Sequence, residues 1–397
     1  MKTPFQYLFH RDHFIIIAFG LLFLLVLRVI TVNIDFLNPV ANALDEFSIT
    51  DMMFDIQHSN SMPEINDLVT IVDMTDLHSR GDIANLLSEI NQCAPLVMGV
   101  DLIFEGEKDD HLGNEMLMEV VHGLSDKTVF TCKLTDYNSI EGTFKGCTRS
   151  FFANDISITE AYSNVNNNLT VGNVRDFGIK QLIDSKEMLS FPAQIASRFD
   201  DSVDEMDDNE LLINFKNVVF PMVTYDEILD KQELIEGHIV LVGTMTEEQD
   251  MHNTPLGKMP GVELQAYSLL TLLEHKAMKK NPVWLDWLLA LLVCYLMELA
   301  IDALFQWVCK NDKSAIMVFL KESNVLDIIM LFVWMVLVCW FVFIMFVKHD
   351  TIIGGSMILA LMALTCEGRD IYKSIIKALL VKHVDKKFVS TSLLKDA

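Results

Sequence analysis

Four apolar stretches dominate the pattern of hydrophobic positions along the chain. One lies near the amino terminus, and three follow one another towards the carboxyl terminus. At about 1.5 Å per residue, a helix of about 20 apolar residues crosses a hydrocarbon core of about 30 Å. The pattern therefore predicts a four-helix transmembrane region, with helices over residues 14–33, 283–308, 325–347 and 351–367.

The first stretch has a competing interpretation as a cleaved signal peptide. Ala41-Asn42-Ala43 has the A-x-A form of a cleavage site. It lies well beyond the apolar run, however, and the run is long for the hydrophobic core of a signal peptide. We therefore expect an uncleaved membrane anchor.

Positive residues predict the orientation of these helices, because lysine and arginine concentrate in short cytoplasmic segments. The connection 348–350 between the third and fourth stretches is short and contains one lysine, whereas the other flanks are clearly basic. We expect both termini in the cytoplasm and residues 34–282 outside it. The predicted cytoplasmic segments are the amino terminus 1–13, the loop 309–324 and the tail 368–397.

Residues 34–282 alternate between short apolar runs and segments with helical spacing. Continuous β-branched runs separated by amphipathic helices are typical of a largely parallel sheet with helices on both faces. We therefore predict an extracytoplasmic α/β domain, with the polar segments 150–168 and 200–210 as loops. The predicted strands are 68–73, 96–101, 128–134, 211–215 and 238–244, and the predicted helices are 82–91, 114–121 and 262–275.

Four polar residues are candidates for a ligand-binding crevice. Asp73, Asp101 and Thr244 each end a predicted strand, and Asp250 follows shortly after the last of them. Open α/β sheets bind ligands at the carboxyl ends of their strands, where the loops converge. The alternative is that each side chain caps the next helix, since a carboxylate satisfies the free N–H groups of a first turn.

Charge and composition exclude several functions. The formal net charge is −25, and most acidic residues lie in residues 34–282, so nucleic acid is not expected as a partner. The acidic segment 200–210 lacks the glycine and ligand spacing of an EF-hand, and we expect neither a metal nor a cofactor. Cys132 and Cys147 lie close enough in sequence to bridge a hairpin, which the sequence leaves open. Serine-hydrolase, phosphate-loop and zinc-protease motifs are missing from the sequence, so we expect no catalytic residues and no enzyme.

The strands and turns of residues 34–282 resemble the second type of CHASE domain, an extracellular sensory module of bacterial adenylate cyclases and histidine kinases. The resemblance includes the frame of one amino-terminal and three carboxyl-terminal spans. It implies a membrane sensor or receptor subunit in the bacterial inner membrane, acting in signal transduction. The segments that carry it are 71–73, 99–105, 211–215, 237–244, Asp250 with 254–255, and 260–266.

The chain departs from that family in three places. The turn after the first aspartate contains Arg80 without the family's Trp-Pro-Trp sequence, and the Asp-x-Asp-Gly-x-x-Arg stretch is reduced to residues 174–180. The usual cytoplasmic output domain is absent after the last predicted span. We therefore expect a sensor that reports to a separate membrane or cytoplasmic output protein. Alternatives are a membrane scaffold that binds envelope proteins without sensing, and a metal enzyme that uses Asp73 and Asp101.

Carboxylates inside the predicted spans are candidates for coupling between helices. Glu298 and Asp302 are one helical turn apart and share a face, and Asp327 and Glu367 lie at a similar depth. Intramembrane carboxylates are costly and usually face protein, water or a cation. We expect Glu298 to contact a basic or hydroxyl group on another helix or subunit, whereas the other three alternatively reach the headgroup region.

The carboxyl-terminal tail has an apolar stripe opposite its lysines. This pattern over residues 369–387 predicts a basic amphipathic helix, which binds either anionic lipid of the inner leaflet or a groove on a partner. A homo-oligomer is a further partner class that the sequence leaves open. Apolar positions of the stripe are Ile371, Ile375, Ile376, Leu379, Leu380 and Val384, and the lysines are Lys373, Lys377, Lys382 and Lys386.

Overall fold

The computed structural model describes residues 10–33, 49–60, 62–138, 142–154, 158–164, 173–183, 186–206, 210–310 and 325–380, together with 314, 316, 318 and 319. The chain divides into two compact units. Residues 50–278 form an α/β unit, and residues 1–49 with 279–397 form a helical unit. Within the tail, the described residues end at 380, so residues 381–387 of the predicted amphipathic helix lie outside them.

The α/β unit contains a sheet whose central strands are parallel. Its order begins β12 (Met222–Thr224), β2 (Val69–Asp73), β13 (Ile239–Gly243), β3 (Val97–Val100) and β4 (Thr128–Asn138). Each neighbouring pair in this series is parallel, and β6 (Thr159–Tyr162) also pairs with β4 in parallel. β2, β3 and β13 are almost completely buried, which explains why they are continuous apolar runs in the sequence.

The sheet as a whole is mixed, so the prediction of a largely parallel sheet is wrong for its second half. β4 continues to Asn138 and pairs there with the antiparallel strand β5 (Thr143–Thr148). β8 (Lys180–Ile183) is parallel to β5, and β9 (Lys186–Leu189) is antiparallel to β8. These strands are half-exposed and polar, so they lack the apolar runs that identified the central strands. The predicted loop 150–168 also contains β6.

Smaller pairings complete the α/β unit. β1 (Glu64–Ile65) is parallel to β11 (Val218–Val219), and β7 (Asp176–Gly178) is antiparallel to β10 (Glu210–Leu212). β14 (Met251–Thr254) and β15 (Gly257–Pro260) form a hairpin just before the last helix of the unit. The predicted strand 211–215 is therefore only the short β10.

Helices cover both faces of the sheet, as predicted. α3 (Arg80–Gln92) and α4 (His111–Gly123) pack on one face, where Leu87 and Leu117 share a core with Val100 and Val242. α5 (Phe191–Ala196) and α6 (Gly261–Leu273) lie on the other face. Here glycines permit close approach: a Cβ on Gly99 would lie 2.7 Å from the side chains of Ile195 and Phe191. A further helix, α2 (Ile49–Asn60), precedes β1.

The helical unit contains four long helices in its described residues. These are α1 (Arg11–Asn33), α7 (Val283–Lys310), α8 (Val325–His349) and α9 (Gly355–Leu380). A short parallel pair joins β16 (Lys279–Lys280) to β17 (Thr351–Ile352). Among the described residues, two helices, α7 and α8, are long and apolar enough to cross a membrane, not the predicted four. α9 is less apolar because Glu367, Arg369 and Asp370 interrupt it.

Replacing Gly99 with alanine tests the close packing of α5 on β3. The added Cβ would lie within 3 Å of Ile195, Phe191 and Leu241, so we expect the free energy of unfolding to fall by about 1–3 kcal/mol. Urea denaturation followed by circular dichroism measures this change. Gly123→Ala is the matched control, because a Cβ there meets no atom within 4 Å. Equal stability of the two variants would contradict the packing.

Candidate functional site

Three of the four predicted crevice residues meet at one edge of the sheet. Asp73 is the last residue of β2, and its register partner is Gly243 at the end of β13. Thr244 follows directly. On the other side of β13, Val242 pairs with Val100, which places Asp101 beside Gly243. Parallel pairing therefore brings the ends of three adjacent strands together at the edge where α/β sheets bind ligands.

Asp73 is engaged in a local turn. The backbone N–H and hydroxyl of Thr75 both donate to Asp73 Oδ1, at 2.9 and 2.5 Å. The Thr75 hydroxyl accepts in turn from the backbone N–H of Met245 at 2.9 Å. Asp73 thus ties the turn after β2 to the loop after β13, which is a structural role.

Asp101 and Asp250 form an acidic pair at this edge of the sheet. Burial, followed by repulsion from the Asp250 carboxylate, raises the pKa of Asp101 to about 7. His252 opposes this shift, and its Nε2 lies 3.7 Å from Asp250 Oδ1. Thr131 on β4 also faces Asp101 and lowers its pKa. An aspartate whose pKa lies near neutrality, beside a second carboxylate, forms a site that responds to a cation or to protons.

The capping alternative is wrong for two of the four residues. α3 is capped by Ser79 and α4 by Asp110, so neither Asp73 nor Asp101 caps the helix that follows it. Asp250 is different. A Cβ on Gly261 would lie 2.6 Å from Asp250 Oδ1, so this carboxylate lies against the first turn of α6, where the helix dipole favours negative charge.

Two arginines, Arg80 and Arg175, lie where the sequence differs from the family's motifs. Both form contacts within the α/β unit. The Arg80 side chain is buried and donates to Asn114 and to the carbonyls of Glu105 and Gly106, at 2.5 to 3.1 Å. Arg175 forms a two-pronged ion pair with Asp51 of α2, at 2.9 and 2.6 Å. Among the described residues, no group of three or more His, Cys, Asp or Glu side chains could hold a metal ion.

A second candidate site lies in the helical unit, where Arg369 of α9 joins both predicted carboxylates of α7. Arg369 donates to Glu298 Oε2 at 2.9 Å and to Asp302 Oδ1 at 3.1 Å. All three side chains are at least 97% buried. The expected basic contact of Glu298 is thus on another helix of the same chain.

The same cluster includes α1. The second oxygen of Asp302 lies 2.8 Å from His13 Nε2, and His13 is also buried. One turn further along α9, the Tyr372 hydroxyl donates to the buried Asp12 at 3.1 Å. Residues near the start of α1, the middle of α7 and the second half of α9 therefore form one buried polar network.

The remaining predicted coupling residues lie at the margin or outside this network. Asp327 forms a half-buried ion pair with Lys373 at 2.7 Å. Glu367 is exposed in the helical unit and does not join the cluster. The apolar stripe of the tail is also divided, because Ile376 packs with Tyr372 against Ile16 of α1, whereas Ile371 and Ile375 are 41% and 40% exposed.

Sequence reasoning missed the basic members of both sites. His252 follows Asp250 by two residues, but nothing in the spacing linked it to Asp101. Arg369 was assigned to the cytoplasmic basic cluster, and Asp12 and His13 to the amino-terminal flank. A usable signal was the interruption of an apolar helix by an arginine, since a charge within such a helix demands a partner.

Comparison with known proteins identifies one family. The model of the CHASE2 domain matches residues 20–301, which is well over half of the 397 residues. CHASE2 domains are extracellular sensory domains. Searches of curated proteins and of solved structures gave no match.

Asp101→Asn tests the raised pKa at the sheet edge. An aspartate whose pKa is raised from 3.8 to about 7 in the folded protein makes stability fall as pH rises through that interval, because the unfolded chain loses the proton first. We expect the variant to lose this part of the pH dependence and to be more stable than the native chain at pH 8. Urea denaturation between pH 4 and 8 measures it, with the exposed Asp109→Asn as control. Parallel pH profiles for Asp101→Asn and the native chain would contradict the assignment.

Arg369→Met tests the network in the helical unit. Removing the guanidinium leaves two buried carboxylates without their cation, which costs about 3–5 kcal/mol. Lys373→Met is the control, because its ion pair with Asp327 is partly exposed and contributes about 1 kcal/mol or less. Thermal unfolding in detergent compares them. Combining Arg369→Met with Glu298→Gln and Asp302→Asn should restore much of the loss, and no restoration would contradict the charge argument.

Proposed function

The chain belongs to the CHASE2 domain family, and from this membership we propose that it is a membrane sensor subunit that passes a signal to a separate protein. The observation that carries the proposal is the family match over residues 20–301. It covers α1 from residue 20 onward, the whole α/β unit and most of α7. An extracellular sensory domain and a membrane-spanning helix on its carboxyl-terminal side are thus parts of the same matched segment.

We propose four membrane spans, with α1 and α9 added to α7 and α8. α1 is 23 residues long and α9 is 26, lengths that suffice for a span. The buried polar side chains Asp12, His13 and Arg369 support this arrangement, because they lie in the buried network and not on a lipid-facing surface. The distribution of lysine and arginine favours cytoplasmic termini, with the α/β unit outside a bacterial inner membrane.

The sheet-edge crevice is the proposed site of detection. Asp101 and Asp250 present two carboxylates, one of which changes charge near neutral pH. A ligand that carries a positive charge, or one that donates hydrogen bonds, would shift this balance by stabilising both carboxylates in the charged form. The charge of the two carboxylates therefore indicates a ligand that is cationic or donates hydrogen bonds.

The buried network is the proposed route of transmission. In the sequence, α1 precedes the α/β unit and α7 follows it, and Arg369 of α9 connects to both helices through Asp302 and its contact with His13. A signal that moves α1 or α7 would act on this cluster, in which an unpaired buried charge is costly. Such clusters change between discrete arrangements, which is what coupling requires.

The proposed output is a separate membrane or cytoplasmic protein, which the carboxyl-terminal tail would contact. Lipid of the inner leaflet is a second proposed contact of the tail, through the exposed Ile371 and Ile375. We propose no catalytic role for the chain. Homo-oligomerisation is compatible with this arrangement.

The sensory role is tested by ligand binding to the full chain in detergent. Thermal stabilisation across a panel of small cationic and polar compounds should identify one that binds saturably. Asp101→Asn combined with Asp250→Asn should weaken that binding by about tenfold or more, since both charges are lost. Asp109→Asn should leave it unchanged.

Two further readings complete this experiment. Hydrogen exchange of α7 and α9 should change when the ligand binds, and should not change in Arg369→Met.

Binding that persists in the double variant Asp101→Asn with Asp250→Asn would place detection elsewhere. If the panel gives no ligand and an envelope protein is recovered stably with the chain, the chain is a scaffold and the sensory proposal fails.

A further inference from the structure

The mixed half of the sheet forms a closed ring of strands. β4, β5, β8 and β9 lie side by side, and β6 pairs with β4 on its other edge. An isolated bridge between Tyr162 at the end of β6 and Ser190 after β9 connects the two ends of this series. A separate cluster of buried side chains lies among these strands. Its members are Cys132, Leu134 and Tyr162, with Phe144, Cys147, Ile183 and Met188 packed against them.

Three sulfur atoms meet in this cluster. The Cys132 thiol donates to Met188 Sδ at 3.6 Å. Cys147 is the register partner of Leu134, two residues along β4 from Cys132 and on the same face. The Cys147 thiol donates to the Thr148 carbonyl at 3.8 Å, and the Cys147 side chain packs against the cluster that contains Cys132. The cysteines are not bonded to each other.

Two thiols and a thioether are the ligand set of a soft monovalent metal ion. Thiolate sulfurs bind Zn²⁺ as well as Cu(I), but structural Zn²⁺ takes four ligands, so a set of two thiolates and one thioether fits Cu(I) better. Three sulfurs in a plane around one ion, each at about 2.3 Å, lie roughly 4 Å from one another. The 3.6 Å separation of Cys132 and Met188 is close to that spacing, so a small outward movement of the side chains would admit the ion.

We propose that Cys132, Cys147 and Met188 form a binding site for Cu(I) in the α/β unit. The ion would bond to both thiolates and to the thioether. Two protons would leave the thiols, and no oxidation or reduction is involved. The proposal does not depend on the sensory function, since it rests on the sulfur geometry alone.

Access and charge are compatible with this site. Cys132 is fully buried, but Cys147 and Met188 are half-buried, which gives a metal carrier or a small complex a route to the sulfurs. Two thiolates with one Cu(I) leave one negative charge. Arg149, two residues after Cys147, places a cation close to this charge, although it also forms an ion pair with Glu160 at 2.6 Å.

A disulfide between the two cysteines is the competing outcome. Cys147 pairs with Leu134, and Lys133 pairs with Thr148, so Cys147 is not directly opposite Cys132 in the register. The two cysteines are therefore diagonal neighbours, a less favourable arrangement for a disulfide than a directly opposed pair. Met188 distinguishes the outcomes, because a thioether ligates copper and takes no part in a disulfide.

The test uses the full chain, purified anaerobically, with the four cysteines of the helical unit replaced by alanine. These are Cys294, Cys309, Cys339 and Cys366. Cu(I) is supplied in competition with a coloured Cu(I) chelator, and X-ray absorption counts the sulfur neighbours. We expect one Cu(I) per chain with three sulfurs. Met188→Leu should retain two sulfurs and bind about 10- to 100-fold more weakly, and Cys132→Ser should bind still more weakly.

Cys93→Ser is the matched control, because Cys93 is buried in the other core of the α/β unit. It should bind Cu(I) as tightly as the background chain, which is the chain with only the four cysteines of the helical unit replaced. The proposal is overturned if the background chain binds no Cu(I) against the chelator, or if Met188→Leu binds with unchanged affinity and sulfur count. It is equally overturned if loss of binding follows Cys93→Ser as strongly as Cys132→Ser.

Discussion

A guanidinium buried between two carboxylates is the constraint around which the helical unit is organised. Arg369 is 1% exposed and touches both Glu298 and Asp302. An ion in such surroundings is tolerated only when its partners are held in place, and here both partners lie on one helix, α7. The remaining contacts follow from this requirement. Asp302 also engages His13, and Gly20 of α1 lies close against Thr365 of α9, so the backbones approach closely near the charges.

The α/β unit is organised by a different constraint, the parallel pairing of β2, β13 and β3. These strands are buried on both faces, so their register admits little variation. The register in turn determines which side chains lie next to one another at the carboxyl ends of these strands. Asp101 lies next to β13 because Val100 pairs with Val242, and its carboxylate is then close enough to Asp250 for repulsion to contribute to its raised pKa.

The two sites illustrate different uses of charge. At the sheet edge, like charges are brought together and one of them is near its midpoint of ionisation at neutral pH, which makes the crevice responsive. In the helical unit, opposite charges are matched and buried, which makes the arrangement resistant to small changes and suited to two discrete states. The proposed sensory role would use both properties, a responsive site for detection and a stable cluster whose rearrangement is costly.

The sequence by itself determined the elements whose burial is complete. Strands β2, β3 and β13 were recognisable because complete burial leaves an uninterrupted apolar run, and the helices were recognisable from amphipathic spacing or from long apolar stretches. Glu298 was recognisable as well, since a carboxylate in an apolar helix is costly wherever it points. Only the tertiary structure decided which groups meet. Asp101 near Asp250 and His252, His13 beside Asp302, and the thiols beside Met188 are contacts between residues that are distant in sequence or belong to half-exposed strands. Their contacts depend on strand register and helix packing, which the local sequence pattern does not determine.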